Sequence, residues 1–105
     1  MKYLNIKSYT NGWFIGDFEP AILLSKELEI GHLSLKKGHI ADGHYHKKHI
    51  EINYIVCGKA SIDDKILNAG DFFIFEPYDK SFVEYLEDTE LIVFKNPAVK
   101  NDKFF

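Results

Sequence analysis

The chain has 105 residues, with 16 acidic and 13 basic side chains and a formal charge of −3, a size that holds one domain with a modest core and a charge that leaves no basic footprint for nucleic acid. Hydrophobic residues make up 46% and aromatic residues 15% of it, too apolar for a disordered chain and rich in strand formers. The single cysteine, Cys57, excludes an internal disulfide framework, and the absence of a long apolar run or signal core leads to the expectation of a cytoplasmic protein with no membrane partner.

From the N-terminus, Tyr3 to Tyr9 alternates in a way that predicts an edge strand. Asn11-Gly12 is a turn signal, followed by Trp13-Phe14-Ile15 and a short apolar run from Ala21 to Leu24. A strand is expected from Glu29 to Leu35, and Gly31 argues against a competing helix over 25–33. Lys36-Lys37-Gly38 ends that strand. Beyond Gly58, strands are expected at 59–62, 65–68, 72–75, 81–85 and 90–95, with turns at Asp63-Asp64, Ala69-Gly70-Asp71, Glu76 to Lys80 and Glu87-Asp88. Many short strands at nearly even spacing describe a sandwich or barrel. Asn96 to Phe105 reads as a tail, although Phe104 and Phe105 are too apolar to hang in water.

The chemistry concentrates between Gly38 and Gly58, GHIADGHYHKKHIEINYIVCG. His44 and His46 are two apart, so on a strand both imidazoles share a face. Glu51 lies at an odd offset, and a straight strand turns it away. A bend or bulge over Lys47-Lys48-His49-Ile50 resets the parity and brings two imidazoles and a carboxylate together, the donor set of catalytic zinc or non-heme iron sites. His49 has the parity of Glu51. Either it is a third inward imidazole and proton shuttle or it is a solvated loop residue. Ile52 to Cys57 completes a strand in which Cys57 is expected to be a buried, inert thiol.

This stretch resembles the first motif of the cupin superfamily, G-x5-H-x-H-x4-E-x6-G, with Gly38, His44, His46, Glu51 and Gly58 at the fixed positions. The resemblance implies an all-β, single-domain cupin, an antiparallel double-stranded β-helix (jelly-roll barrel). Its core would run over 29–95, with an N-terminal strand region 1–28 and a tail 96–105 packed on it. It implies that His44, His46 and Glu51 are ligands of a divalent metal facing the barrel interior: zinc, iron, nickel or manganese, with copper also possible. The second cupin motif, roughly G-x5-P-x-G-x2-H-x3-N, begins at Gly70 and then departs. Glu76 stands for its first proline, Tyr78 for its glycine, Ser81 for its ligand histidine and Tyr85 for its asparagine. The implied sphere then has three protein ligands completed by water, by Glu76 or by His49; in the other case the metal is lost.

The phrases GDFEP, LKKG, HYHKK, EINYIVCGK, EPYDK and LEDTELIVFKNP are similar to small stand-alone, RmlC-like cupins of sugar and surface-polysaccharide gene clusters. That similarity implies carbohydrate metabolism and a small sugar-like ligand, and a fold by itself does not give a function. Three functions follow as expectations: a metal-dependent isomerase, epimerase or dioxygenase with Glu76 or His49 moving the proton, a non-catalytic sugar-binding domain, or a structural cupin without metal. Asn53, Ser81 and Tyr85 are the expected ligand-binding residues. A homodimer is expected from the small core, from exposed aromatics at Trp13, Phe14 and Phe18, and from the pairing of barrels in cupins.

Overall fold

In the computed structural model, which describes residues 1–105, the chain forms ten strands in two sheets and no α-helix. The strands are β1 Trp13–Gly16, β2 Leu23–Leu24, β3 Glu29–Leu35, β4 Ile40–Ala41 and β5 Ile50–Cys57. They continue with β6 Lys59–Ile62, β7 Lys65–Asn68, β8 Phe72–Phe75, β9 Val83–Tyr85 and β10 Thr89–Asn96. One sheet has six strands in the order β2-β1-β3-β10-β5-β8, and the other has four, β4-β9-β6-β7. Every pairing is antiparallel except that of β1 with β2. This is the two-sheet jelly roll.

Local chemistry sets the turns. Asp63 and Asp64 both take positive φ, 49° and 61°, between Ile62 and its partner Lys65. That is the backbone of a two-residue hairpin loop, for which aspartate is one of the tolerated residues. Gly12 has φ 85°, and a Cβ there would sit 1.9 Å from the His32 carbonyl oxygen, so only glycine fits.

The N-terminal strand expected over Tyr3 to Tyr9 is absent. Asn5 accepts a hydrogen bond from the Lys7 N–H at 2.9 Å and caps a 3₁₀ turn over Ile6–Ser8. A short polar side chain that bonds its own backbone competes successfully with a strand that has no neighbour to pair with.

Alternation along the strands defines an inside. Ile55, Leu91, Val93 and Phe73 from the larger sheet meet Ala60, Val83 and Tyr85 from the smaller. Only 15 of the 105 residues are buried. The core fills one end of the barrel, and the other end is hollow. Trp13, Phe14 and Phe18 are half-buried rather than exposed, because Trp13 turns inward to the hollow and Phe18 covers Gly16. Cys57 also departs from expectation. It is exposed, because the register shifts between Glu90 and Leu91 and sets Cys57 opposite Glu90. Its thiol donates to Glu90 Oε2 at 3.3 Å, and that bond, with the desolvation it brings, pushes the thiol pKa up.

Candidate metal centre

The hollow end is a cavity of about 640 Å³. Its walls are the inward residues of both sheets, and residues 99–103 of the C-terminal segment close one side. Glu51 and Asn53 enter it from β5, on the same face of the strand as the core residue Ile55. The chain leaves extended geometry at Lys47 and Lys48. The histidines before that bend and the carboxylate after it therefore reach the same space despite their odd separation.

His46, His49 and Glu51 bring one donor atom each within 4.8 Å of one another. His46 Nε2 lies 3.7 Å from Glu51 Oε1, and the His46 and His49 ring centres are 3.9 Å apart. His44 lines the same cavity, its ring 4.9 Å from that of His46 and nearly perpendicular to it, but it stands outside the tight group. The sequence expectation set His44 in the ligand group and left His49 between two roles. The bend buries His49, 2% exposed, beside His46 and Glu51, while His44 faces the same cavity as expected from its parity with His46.

Three imidazole nitrogens, His46 Nε2 and both of His49, are buried without a hydrogen-bond partner. Orphaned buried polar atoms are costly in a folded protein, and a neutral imidazole offers one lone pair, so His46 and His49 bring one each to Glu51, a set that fits a divalent cation. The tautomers fit as well. His46 Nδ1 donates to the backbone carbonyl of Asp102 and His44 Nδ1 to that of Asp42, at 3.0 Å in the latter case. A carbonyl can only accept, so each Nε2 keeps a lone pair for coordination.

Asp102 is the residue that sequence reasoning missed. Its carboxylate is buried and accepts N–H bonds from Lys47, Lys48 and His49 at 2.9, 3.0 and 3.2 Å. It also lies 3.3 Å from His49 Nδ1. Phe104 pairs with Tyr45 as an isolated antiparallel bridge and carries the Lys47 ammonium 4.1 Å above its ring. The tail is thus laced to the histidine-bearing bend. Burial pushes the Asp102 carboxyl upward, but the three N–H bonds and the His49 ring outweigh it and hold the pKa below its usual value.

Burial lowers the His49 pKa to about 4, helped by the like-charged forms of His46 and Lys95 and opposed by Asp102 and Glu51. Burial lowers the His44 pKa, the bond to the Asp42 carbonyl opposes it, and Lys103 and His46 lower it further. Both rings are therefore neutral near pH 7, the form that binds metal. The sign for stability follows. Between pH 6.5 and 4 the unfolded chain holds a proton on His49 that the folded chain excludes, so folding stability is complete above 6.5 and is lost as the pH falls. Metal-free protein should lose up to about 1.4 kcal/mol per pH unit through this window from this one group. Denaturant titrations of wild type and of His49→Gln, in chelator, check it: the variant should show the flatter slope, and equal slopes would contradict the assignment.

The remaining expected site residues have distinct fates. Asn53 Nδ2 donates to Glu51 Oε2 at 3.1 Å and to the Phe73 carbonyl at 3.4 Å, so it holds the carboxylate. Ser81 lines the cavity, but its hydroxyl donates to the Asp63 carboxylate at 3.0 Å. Tyr85 is buried in the cavity wall, and burial next to Glu51 pushes its phenol well above the usual range. Glu76 is exposed on the β8–β9 loop and does not line the cavity, because its N–H turns back onto the Asp79 carboxylate at 2.9 Å. Lys95 was not anticipated. Its ammonium lies 3.8 Å from Glu51 Oε1 and 4.8 Å from the centre of the Trp13 ring.

A two-sheet antiparallel barrel with histidines and a carboxylate gathered inside one end defines the cupin architecture, and solved structures agree. KdgF from Halomonas sp. superposes with a TM-score of 0.67 at 22% identity, over 73% of this chain and 74% of that one. An RmlC-like cupin from Shewanella frigidimarina gives 0.65 at 28% identity, over 72% and 71%. Oxalate decarboxylase from Bacillus subtilis gives 0.67 at 24% identity, over 76% of this chain and 24% of the enzyme. No protein-family model and no curated protein sequence matches the chain. The chain has the fold of the small RmlC-like cupins. No helix is long and apolar enough to cross a membrane.

Proposed function

We propose that this cupin, one folded unit over 1–105, binds a divalent metal and a small sugar-like polar ligand in its barrel mouth and acts as a metal-dependent isomerase or epimerase. The observation that carries the reading is the group of one donor atom each from His46, His49 and Glu51 within 4.8 Å inside the cavity, on imidazoles that keep buried nitrogens without a hydrogen-bond partner. His46, His49 and Glu51 would hold the ion, and zinc, iron, nickel and manganese all suit two imidazoles and a carboxylate. Once bound, such an ion supplies Lewis acidity to a carbonyl or diol. Asn53 keeps Glu51 aimed. His44, neutral and with Nε2 free, is placed to exchange a proton with the ligand. Tyr85 and Ser81 are ligand contacts on the opposite wall. Such a protein would act as a homodimer in the cytoplasm, in carbohydrate metabolism.

One observation favours a second reading. Lys95 already neutralises Glu51 at 3.8 Å, so a cavity without metal, binding a polar ligand and doing no chemistry, is self-consistent. A panel of simple sugars and nucleotide sugars, with each ion in turn, separates the two when followed by calorimetry for binding and by NMR for product. Metal-dependent product that disappears in His46→Ala supports the enzyme. Saturable binding without product leaves the binding domain. Neither binding nor product, with every ion, would sink both.

A further inference from the structure

Three lysines line the cavity, and they differ in depth. The Lys95 side chain is 20% exposed. That of Lys100 is 70% exposed and pairs with Asp17 at 3.7 Å, and Lys103 is exposed, over the Phe105 ring. On β10, Lys95 stands in register between Glu29 of β3 and Glu51 of β5, all three lining the cavity. Its ammonium pairs with Glu51, 3.8 Å from Oε1, and rests 4.8 Å from the centre of the Trp13 ring. That same Oε1 is the oxygen His46 Nε2 approaches at 3.7 Å, whereas Oε2 receives the Asn53 amide at 3.1 Å. A divalent cation held by His46, His49 and Glu51 therefore claims the atom on which Lys95 leans, and repels the ammonium beside it. Lys95 is then left with a largely desolvated charge and no carboxylate of its own, a costly state unless another anion arrives. Asp102 cannot serve, because it already accepts from three backbone N–H groups and faces His49.

We propose that Lys95 is an anion subsite which metal binding uncovers: the ion takes Glu51, and the released ammonium receives a carboxylate or phosphate group of the ligand. This rests on the metal reading above and adds the charge of its ligand and the order of binding. Both anions accept charge-assisted hydrogen bonds from an ammonium. Trp13 holds the ammonium in place while its partner changes, since a cation is attracted to the face of an indole ring. Without the ion, an entering anion competes with Glu51 for Lys95 and is repelled by that carboxylate. With the ion, the carboxylate is neutralised and two positive centres lie side by side. The metal therefore binds first. Coupling between two sites is reciprocal, so the anion must tighten the metal by the factor that the metal tightens the anion.

Calorimetry with glucuronate, glucose 6-phosphate and uncharged glucose, each in zinc and in chelator, tests the subsite. At least one of the two anions should bind about tenfold tighter or better in zinc, within the range usual for coupled sites, and glucose should gain less. Which anion gains more tells a carboxylate ligand from a phosphate ligand. Glu51→Gln in chelator removes the negative charge without supplying a metal and keeps an oxygen for Asn53. It should bind the anion that wild type in chelator rejects. Lys95→Met keeps the apolar stem and deletes the charge. It should bind zinc more tightly than wild type and lose the zinc-dependent gain in anion affinity, while Lys95→Arg should keep that gain. If Glu51→Gln does not fold, the contrast between Lys95→Met and Lys95→Arg decides. A gain that survives intact in Lys95→Met means the anion sits on the ion alone, and it overturns the subsite. A folded Glu51→Gln protein that ignores both anions overturns it as well. Zinc that fails to bind wild type sinks the metal reading instead, and anion binding by Glu51→Gln in chelator would still establish Lys95 as the subsite.

Discussion

Wild-type protein given a divalent ion at about a hundred times its dissociation constant should gain about 2.7 kcal/mol and melt roughly 10–20 °C above the chelated form. His46→Ala with His49→Ala should abolish that upshift. The two rings contribute the three orphaned nitrogens, and Glu51 alone, with Lys95 at 3.8 Å, is a poor cation site. Single substitutions discriminate between ligand sets. If His46, His49 and Glu51 hold the ion, His49→Ala should lose most of the upshift and His44→Ala should keep it, because only the former group brings its donor atoms within 4.8 Å. The reverse result would restore the spacing-based set of His44, His46 and Glu51. An unchanged upshift in the double variant would remove the metal from this cavity. Acid should weaken the site, since a bound ion requires neutral imidazoles, but the His49 value of about 4 means that ring takes up little proton at pH 6.

The architecture was legible in the chain because its punctuation is local. Asp63-Asp64, Gly58 and Ala69-Gly70-Asp71 mark turns by backbone preference alone, and strands of alternating character fall between them. The cavity carboxylate was legible too, because the bend over Lys47 to Ile50 is the only way to reconcile His46 with Glu51. The choice between His44 and His49 was not. Parity counts residues along a regular strand, and the segment from Asp42 to His49 contains no regular strand, so which of the two cavity imidazoles sits tight against His46 and Glu51 is set by packing. Cys57 was misread for a related reason: a register shift opposite Leu91 is invisible in either strand by itself. Asp102 left one weak signal, the two phenylalanines after it, which argued that the tail is held down without saying by what. Its partners are 53 to 55 residues away, and no spacing rule reaches that far.

Asp102 should also be the most damaging single side chain to remove. Asp102→Ala leaves three backbone N–H groups at the bend without their acceptor. An unsatisfied buried donor costs about 1–3 kcal/mol, and partial access of water to Lys47 and Lys48, which are exposed, reduces the sum, so a loss of about 3–5 kcal/mol is expected. Asp102→Asn keeps one acceptor oxygen and its shape, and should fall between the two. Metal affinity should drop independently of the fold. The bend carries His46 and His49, and residues that orient metal-binding histidines typically contribute 10–100-fold in affinity. Ending the chain after Lys100 goes further, because it also removes the Asp102 carbonyl that fixes the His46 tautomer and the Phe104 bridge to Tyr45. That form should lose the metal upshift even at a temperature where circular dichroism shows it folded. Melting curves and ion titrations on the three variants decide the matter. A truncated chain that melts with the wild type and binds the ion equally well would mean that the tail only covers the barrel. A graded loss from Asn to Ala to truncation, larger in affinity than in stability, would place the C-terminal segment in the metal centre itself.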